Sequence, residues 1–212
     1  MDGKAKNSKP AQVWNTLFEG AEYLFGTEPN DYLVEKKEFL KKSRKVLFVA
    51  DGEGRNSVWC AQQGIEVIDA FDLSDKAIEK ARKLAEEKGV SVNYHVSGID
   101  EWDWKNDAYD AVVVIFTQFA TPNMRTRLFA NCMRTLRQGG VLILQVYRPE
   151  QLEYGTGGPS RVEHLYTEEL LRDSFREMDI LELKSYDAFI REGERHTGMS
   201  ALIGMVARKK TG

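Results

Sequence analysis

The sequence predicts an α/β protein: a Rossmann-like, doubly wound sheet, mostly parallel, with an antiparallel C-terminal hairpin strand and helices on both faces. Three observations predict it. Short apolar runs alternate with helical segments from residue 46 to residue 146, as in parallel strands buried on both faces and joined by right-handed crossovers. The first run opens into the loop Asp51-Gly52-Glu53-Gly54-Arg55-Asn56-Ser57, which feeds a helix. After residue 166 the order changes, and two long strand-like runs, 180–190 and 199–208, read as an antiparallel hairpin at the sheet edge.

The elements follow in order. Residues 1–10 are polar, read as a loose tail, and contain no apolar segment of a secretory signal. Residues 11–26 suit a short helix through Val13, Leu17, Phe18, Tyr23 and Leu24. Pro29 is placed to open the next helix, with Leu33, Val34 and Leu40 on its apolar face. Residues 11–42 thus form an N-terminal helical segment, and 45–210 the core of a single domain, as 212 residues allow. The strands are expected at 46–50, 66–71, 90–96, 111–116 and 141–146. Ser74 is a good N-cap for a helix over 76–88 ended by Gly89. Helices are also expected over 57–63, stopped by Gly64, over 124–137, closed by Gly139-Gly140, and over 167–176 behind a Thr cap. The hairpin connection is expected over 191–198.

Composition narrows the function classes. Hydrophobic residues make up 42% and charged residues 30%, and 30 basic against 33 acidic side chains leave a net charge of −3. That balance argues for a small or neutral substrate and against a nucleic-acid partner. Lys36, Lys37, Lys41, Lys42, Arg44 and Lys45 form a local basic cluster, which reads as a solvated helix face or a contact for an acidic partner. No apolar run is long enough for a membrane span. Cys60 and Cys132 make neither a metal-ligand pattern nor a disulfide framework, so no metal is expected, and a reducing, cytoplasmic setting follows.

The loop after the first strand carries the chemistry. Gly52 and Gly54 let the backbone turn sharply and approach a ligand, at a helix start rich in unpaired N–H groups. Asp72 closes the second strand, where a carboxylate accepts both hydroxyls of a ribose. A nucleoside-bearing cofactor is the expectation; a tight structural turn beside an unrelated Asp72 is the plain alternative. Pyrophosphate is disfavoured because Asp51 and Glu53 crowd the loop with negative charge. S-adenosylmethionine, with a sulfonium, an ammonium and no phosphate, suits an acidic loop better.

Residues 46–59, from Val46 through the glycine loop to Trp59, resemble motif I of class I S-adenosylmethionine-dependent methyltransferases. The Gly54-Arg55-Asn56-Ser57 continuation resembles the tellurite-resistance and thiopurine S-methyltransferase-like branch. Asp72-Leu73-Ser74 resembles the second motif, and Tyr109-Asp110 and Leu136-Arg137-Gln138-Gly139-Gly140 resemble the entries to the fourth and fifth strands. The resemblance implies cofactor contacts at Asp51, Gly52, Glu53, Gly54, Asn56, Asp72 and Leu73. Phe48 and Ala50 depart from the usual acid and glycine. At the end of the third strand Gly98 stands where the family often has an Asp; backbone N–H groups of Gly98 and Ile99 remain to read an adenine edge, with Asp100 as a substitute acid. Trp14, Tyr23, Phe25, Gly26 and Asn30 resemble a lid over the cofactor, with core packing as the alternative.

The acceptor side is less marked. Methyl transfer needs alignment and exclusion of water more than oxyanion stabilisation; an anionic acceptor needs no base, a neutral one does. The Asn/Asp-Pro-Pro-Tyr/Phe motif of base-directed amino methyltransferases is absent after the fourth strand. Phe116 and Phe119 stand there instead, as an apolar wall or as buried edge, and Phe116 is also a candidate cofactor contact. Residues 154–159 read as a flap or a connector. In the hairpin tip, His196 is the candidate base or anion-orienting group and Arg195 the candidate anion neutraliser, with an exposed polar turn as the alternative. His95 reads as structural, and His164 is unassigned. The reading is S-adenosylmethionine-dependent methyl transfer to a small-molecule acceptor, with a thiol or chalcogen oxyanion suggested by the resemblance. The alternatives are an NAD-dependent oxidoreductase on a similar sheet and a non-catalytic cofactor-binding module.

Overall fold

The computed structural model describes residues 8–193 and 196–212. The chain runs through α1 (Lys9–Leu17), α2 (Asp31–Glu35), a 3-10 turn (Lys37–Leu40), β1 (Lys45–Val49), α3 (Arg55–Gln62), β2 (Val67–Asp72), α4 (Asp75–Glu87) and β3 (Asn93–Val96). It continues through β4 (Tyr109–Ile115), α5 (Pro122–Thr135), β5 (Leu136–Tyr147), α6 (Gln151–Tyr154), a 3-10 turn (Val162–His164), α7 (Glu168–Ser174), β6 (Met178–Glu192) and β7 (His196–Lys209).

All seven strands form one sheet in the order β3-β2-β1-β4-β5-β7-β6. β1 pairs in parallel with β2 and β4, whereas β7 is antiparallel to both β5 and β6. The order reverses between β1 and β4, which opens a crevice at the C-terminal ends of those strands. Alternate side chains leave opposite faces of each strand. Leu47, Val49, Val112 and Val114 meet Leu128, Phe129 and Cys132 of α5 on one face. Val46, Phe48, Ala111 and Val113 meet Val58 and Cys60 of α3 and Ile78, Ala81 and Leu84 of α4 on the other. Both cysteines are buried free thiols.

Local chemistry sets the element ends. Ser74 Oγ accepts Ala77 N–H at 3.1 Å and caps α4, as its sequence predicts, and Thr167 caps α7 through Leu170 N–H. Pro29 does not open a helix; Asn30 is the N-cap of α2, its Oδ1 accepting Leu33 N–H at 3.0 Å. The first helix stops at Leu17, short of the expected 26. α5 ends at Thr135, so Leu136 and Arg137 belong to a strand, not a helix. Leu136 pairs with Tyr109, and the register shifts between Tyr109 and Ala111, so Gly139-Gly140 lies inside β5 at the irregularity. A Cβ on Gly140 would lie 2.8 Å from the Arg137 carbonyl, which explains the glycine. The hairpin strands run to Glu192 and from His196, leaving a far shorter connection than 191–198.

The basic cluster is largely neutralised. Lys36 is buried and pairs with Glu35 at 2.7 Å and Glu182 at 2.6 Å. Lys41 pairs with Glu38, Arg44 with Glu66 and Lys45 with Asp69. No described helix is long and apolar enough to cross a membrane.

Candidate cofactor and acceptor site

A cavity of about 990 Å3 opens at the C-terminal ends of β1, β2, β3 and β4, bounded by α1 and by residues 157–161. The glycine loop forms its floor. Ala50, at the end of β1, takes φ 51°, and Gly52 takes φ 60°. The left-handed region disfavours a side chain, so Ala50 adopts the conformation that a glycine would supply more easily.

Asp51, Gly52, Asn56, Asp72, Leu73, Gly98, Ile99, Asp100 and Phe116 line the cavity. Glu53 and Gly54 do not, contrary to the expectation for both. Glu53 is buried and paired with Lys80 at 2.8 Å, and it accepts Phe25 N–H. Gly54 is a packing glycine: its φ is 86°, and a Cβ there would lie 2.6 Å from Tyr94 Oη and 2.7 Å from Ala81 Cβ. The charge argument against pyrophosphate therefore rests on Asp51 and Asp72 alone.

Burial pushes the Asp51 carboxyl up to about 7, against the opposing hydrogen bond from Ser57 Oγ at 2.5 Å. Burial pushes Asp72 up to about 6. Gly52 N–H donates to Asp72 Oδ2 at 3.0 Å and Ser74 N–H to Oδ1 at 2.9 Å. Each carboxylate oxygen keeps a lone pair for a ligand hydroxyl. Asp100 is less available, because Arg127 grips both its oxygens at 2.9 and 2.8 Å and holds its pKa down. The N–H groups of Gly98 and Ile99 have no hydrogen-bond partner among the described residues. These groups fit a cationic nucleoside: Asp72 for the diol, the Gly98 and Ile99 amides for a heterocycle edge, and Asp51 for positive charge.

Aromatic rings cover the site. Trp14 of α1 lies 6.1 Å from Phe119 and stacks on Phe18 at 5.9 Å. His196 packs against Phe25 at 4.6 Å, Phe116 at 4.7 Å and Tyr147 at 5.7 Å. It lines the cavity, and its side chain is 14% exposed. Burial holds its pKa below 6.5, so the ring is neutral near pH 7. Arg195 lies outside the described residues. Of the other lid candidates, Trp14 and Phe25 line the cavity, while Tyr23 bonds the Lys80 carbonyl. Gly26 comes within 3.5 Å of Gly193 for a built Cβ. Asn30 is buried, donating to Gln145 Oε1 at 2.6 Å and Glu192 Oε1 at 2.8 Å.

Sequence reasoning missed several wall residues. Gln118, Tyr147, Arg161 and His164 line the cavity, with His164 Nδ1 at 2.6 Å from the Gln118 carbonyl. Arg55 is also buried at the wall and pairs with Glu192 at 2.6 Å. Arg55 stood in the Gly54-Arg55-Asn56-Ser57 run without an assigned role, and the others carried no local signal, since long-range pairing brings them together. His95 is exposed on β3 beside Trp102.

Residues 46–140 match the family described as a methyltransferase domain. The matched stretch runs from β1 through the glycine loop to the irregularity in β5. It is 31% identical over 117 residues to ribosomal protein L11 methyltransferase of Dictyoglomus turgidum, covering 55% of this chain and 37% of that protein. It is 25% identical over 179 residues to the tRNA N(3)-methylcytidine methyltransferase Mettl2 of Drosophila melanogaster, covering 74% and 55% respectively. The chain thus spans between about a third and about half of these curated relatives. Among solved structures, the N-methyltransferase NodS of Bradyrhizobium japonicum WM9, in complex with S-adenosyl-L-homocysteine, superposes with a TM-score of 0.73 at 13% identity, covering 96% of this chain and all (100%) of NodS. TehB of Haemophilus influenzae superposes with a TM-score of 0.69 at 16% identity, covering 85% and 62%. Identities this low speak for the methyltransferase fold and do not single out a branch.

Proposed function

We propose that this protein transfers a methyl group from S-adenosylmethionine to a small molecule held in the same cavity. The observation that carries the reading is the cavity itself. About 990 Å3 is at the upper end for a small-ligand site, so it has room for cofactor and acceptor together. Asp72 and the Gly98–Ile99 amides stand at one side, and the aromatic rings around His196 at another. When bound, S-adenosylmethionine supplies a methyl group on a positively charged sulfur, activated for in-line displacement.

The chain's own groups do the rest. Asp72, Asp51 and the free amides hold the cofactor. Trp14, Phe25, Phe116 and Phe119 exclude water, which favours meeting of donor and acceptor in one orientation. Arg161 has no carboxylate partner among the described residues and suits an anionic acceptor such as a thiolate or a chalcogen oxyanion. His196 is neutral and accepts a proton from a neutral one. The thiol or chalcogen assignment draws on the resemblance of Gly54-Arg55-Asn56-Ser57 to one branch, not on geometry.

Calorimetry with S-adenosylhomocysteine and with NADH tests the cofactor, and S-adenosylhomocysteine release tests the acceptor. Thiols, selenite, tellurite and N-heterocycles form the small panel; tRNA and ribosomal protein form the macromolecular arms. Binding of S-adenosylhomocysteine and not NADH, with turnover in the small panel, is expected. Binding of NADH alone, or turnover with tRNA or protein alone, overturns the proposal. His196→Ala should slow turnover of a neutral acceptor at least about ten-fold, as loss of a general base does, with S-adenosylhomocysteine affinity unchanged; undiminished turnover removes His196 from the chemistry.

A further inference from the structure

We infer that Gln118 recognises the methyl acceptor, and that the acceptor is a planar heterocycle presenting a lactam edge, an N–H beside a C=O. This rests on the methyl-transfer reading and narrows its substrate class.

Eight buried side-chain nitrogen and oxygen atoms lack a hydrogen-bond partner among the described residues, and four belong to cavity residues: Gln118 Oε1 and Nε2, Tyr147 Oη and His196 Nδ1. Buried polar groups are ordinarily paired, and each left unpaired costs about 1–3 kcal/mol. Gln118 is 7% exposed, and both ends of its amide are unpaired. Its backbone is fixed by comparison, with the carbonyl held by His164. The terminal torsion of glutamine is soft, so a small rotation brings the amide onto a ligand in the cavity.

The amide offers one acceptor and two donors on adjacent atoms. A lactam matches both at once: its N–H donates to Oε1 and its C=O accepts from Nε2. An inorganic oxyanion accepts from Nε2 only and leaves Oε1 buried without a donor. A thiol lacking such an edge satisfies neither well. The neighbouring rings favour the same shape. Phe116 and Tyr147 stack at 4.7 Å with planes 22° apart, and Trp14 and Phe119 line the same cavity. Flat π systems pack well against such walls.

The test measures binding to the whole protein loaded with S-adenosylhomocysteine. Uracil and lumazine are compared with 1,3-dimethyluracil and 1,3-dimethyllumazine, which lack the ring N–H groups. The unmethylated rings are expected to bind at least ten-fold more tightly. Gln118→Ala and Gln118→Leu, which both remove the Oε1 acceptor, should erase that preference while S-adenosylhomocysteine affinity stays constant. Equal binding of both ring types, no binding of either unmethylated ring, or an intact preference in a folded Gln118 variant overturns the inference. If the variants fail to fold, the comparison of rings on the unaltered protein decides. Loss of S-adenosylhomocysteine binding by the unaltered protein would instead overturn the parent reading.

Discussion

At Asp72, two backbone N–H groups, from Gly52 and Ser74, fix a buried carboxylate at the cavity wall. Asp72→Ala is expected to weaken S-adenosylhomocysteine binding by about 1–3 kcal/mol, the range for losing charge-assisted hydrogen bonds; unchanged affinity by calorimetry would place the ribose elsewhere. Asp51 yields a prediction of stability. Its folded-state value, about 7 against an ordinary 3.8, means that the folded protein binds more protons than the unfolded chain between those values. Its contribution is therefore most favourable on the acid side and is lost as pH rises through about 7. His196, held below 6.5, acts in the opposite sense, so the informative comparison is with Asp51→Asn. That variant should gain melting temperature over the unaltered protein at pH 8 and lose the gain at pH 5. A pH-independent difference would mean that Asp51 is not held near neutrality. That Asp51 and Asp72 face one cavity was legible in the sequence because Asp51 follows β1 beside a glycine and Asp72 ends β2 beside a helix cap. Glu53 stands apart from the cavity lining because it pairs at 2.8 Å with Lys80 of α4, a partner 27 residues away in sequence. Gln118 gave no signal at all: an amide becomes informative only once it is known to be buried without a partner.

Elements show the same division. The strands and crossover helices around the glycine loop were readable because apolar runs, Ser74 and Thr167 act locally. The ends of β5, β6 and β7 were not, because pairing across the sheet extends a strand past its own apolar stretch: Glu192 and His196 are strand residues through each other. α1 is the element on which the lid assignment turns. Ala11 is its buried residue, Asn15 bonds Ser74 at 2.7 Å, and Trp14 reaches the cavity wall. A helix anchored so lightly adds little to global stability. Trp14→Ala should therefore lower S-adenosylhomocysteine affinity about ten-fold, consistent with the ~1–2 kcal/mol a covering aromatic contributes, while shifting the melting temperature little. A large loss of stability with unaltered affinity would make Trp14 a core residue instead of a cover.

At the scale of the whole molecule, a buried ion pair adds to the β5–β7 pairing in joining the parallel half to the C-terminal hairpin. Arg55 begins α3 beside the glycine loop, Glu192 ends β6, and they meet at 2.6 Å with side chains 8% and 5% exposed. Asn30 donates to the other Glu192 oxygen at 2.8 Å, and its own N–H binds Asn56 Oδ1 at 2.9 Å, which brings the N-terminal segment into the same knot. Three stretches far apart in sequence thus share one polar centre behind the cofactor loop. Taking two charges out of water is expensive, so the pair adds little net stability over an apolar replacement, whereas removing one partner strands the other charge. Arg55→Met alone should cost about 3–5 kcal/mol in urea unfolding, and Glu192→Met a similar amount. Combined, they should recover much of that loss, because no buried charge is left over. The double variant should still bind S-adenosylhomocysteine more weakly than the unaltered protein, since Asn30 and Asn56 lose the carboxylate that orients them beside the loop. Additive losses in the double variant would mean that Arg55 and Glu192 act independently, and that the hairpin and the cofactor loop are not coupled through this pair.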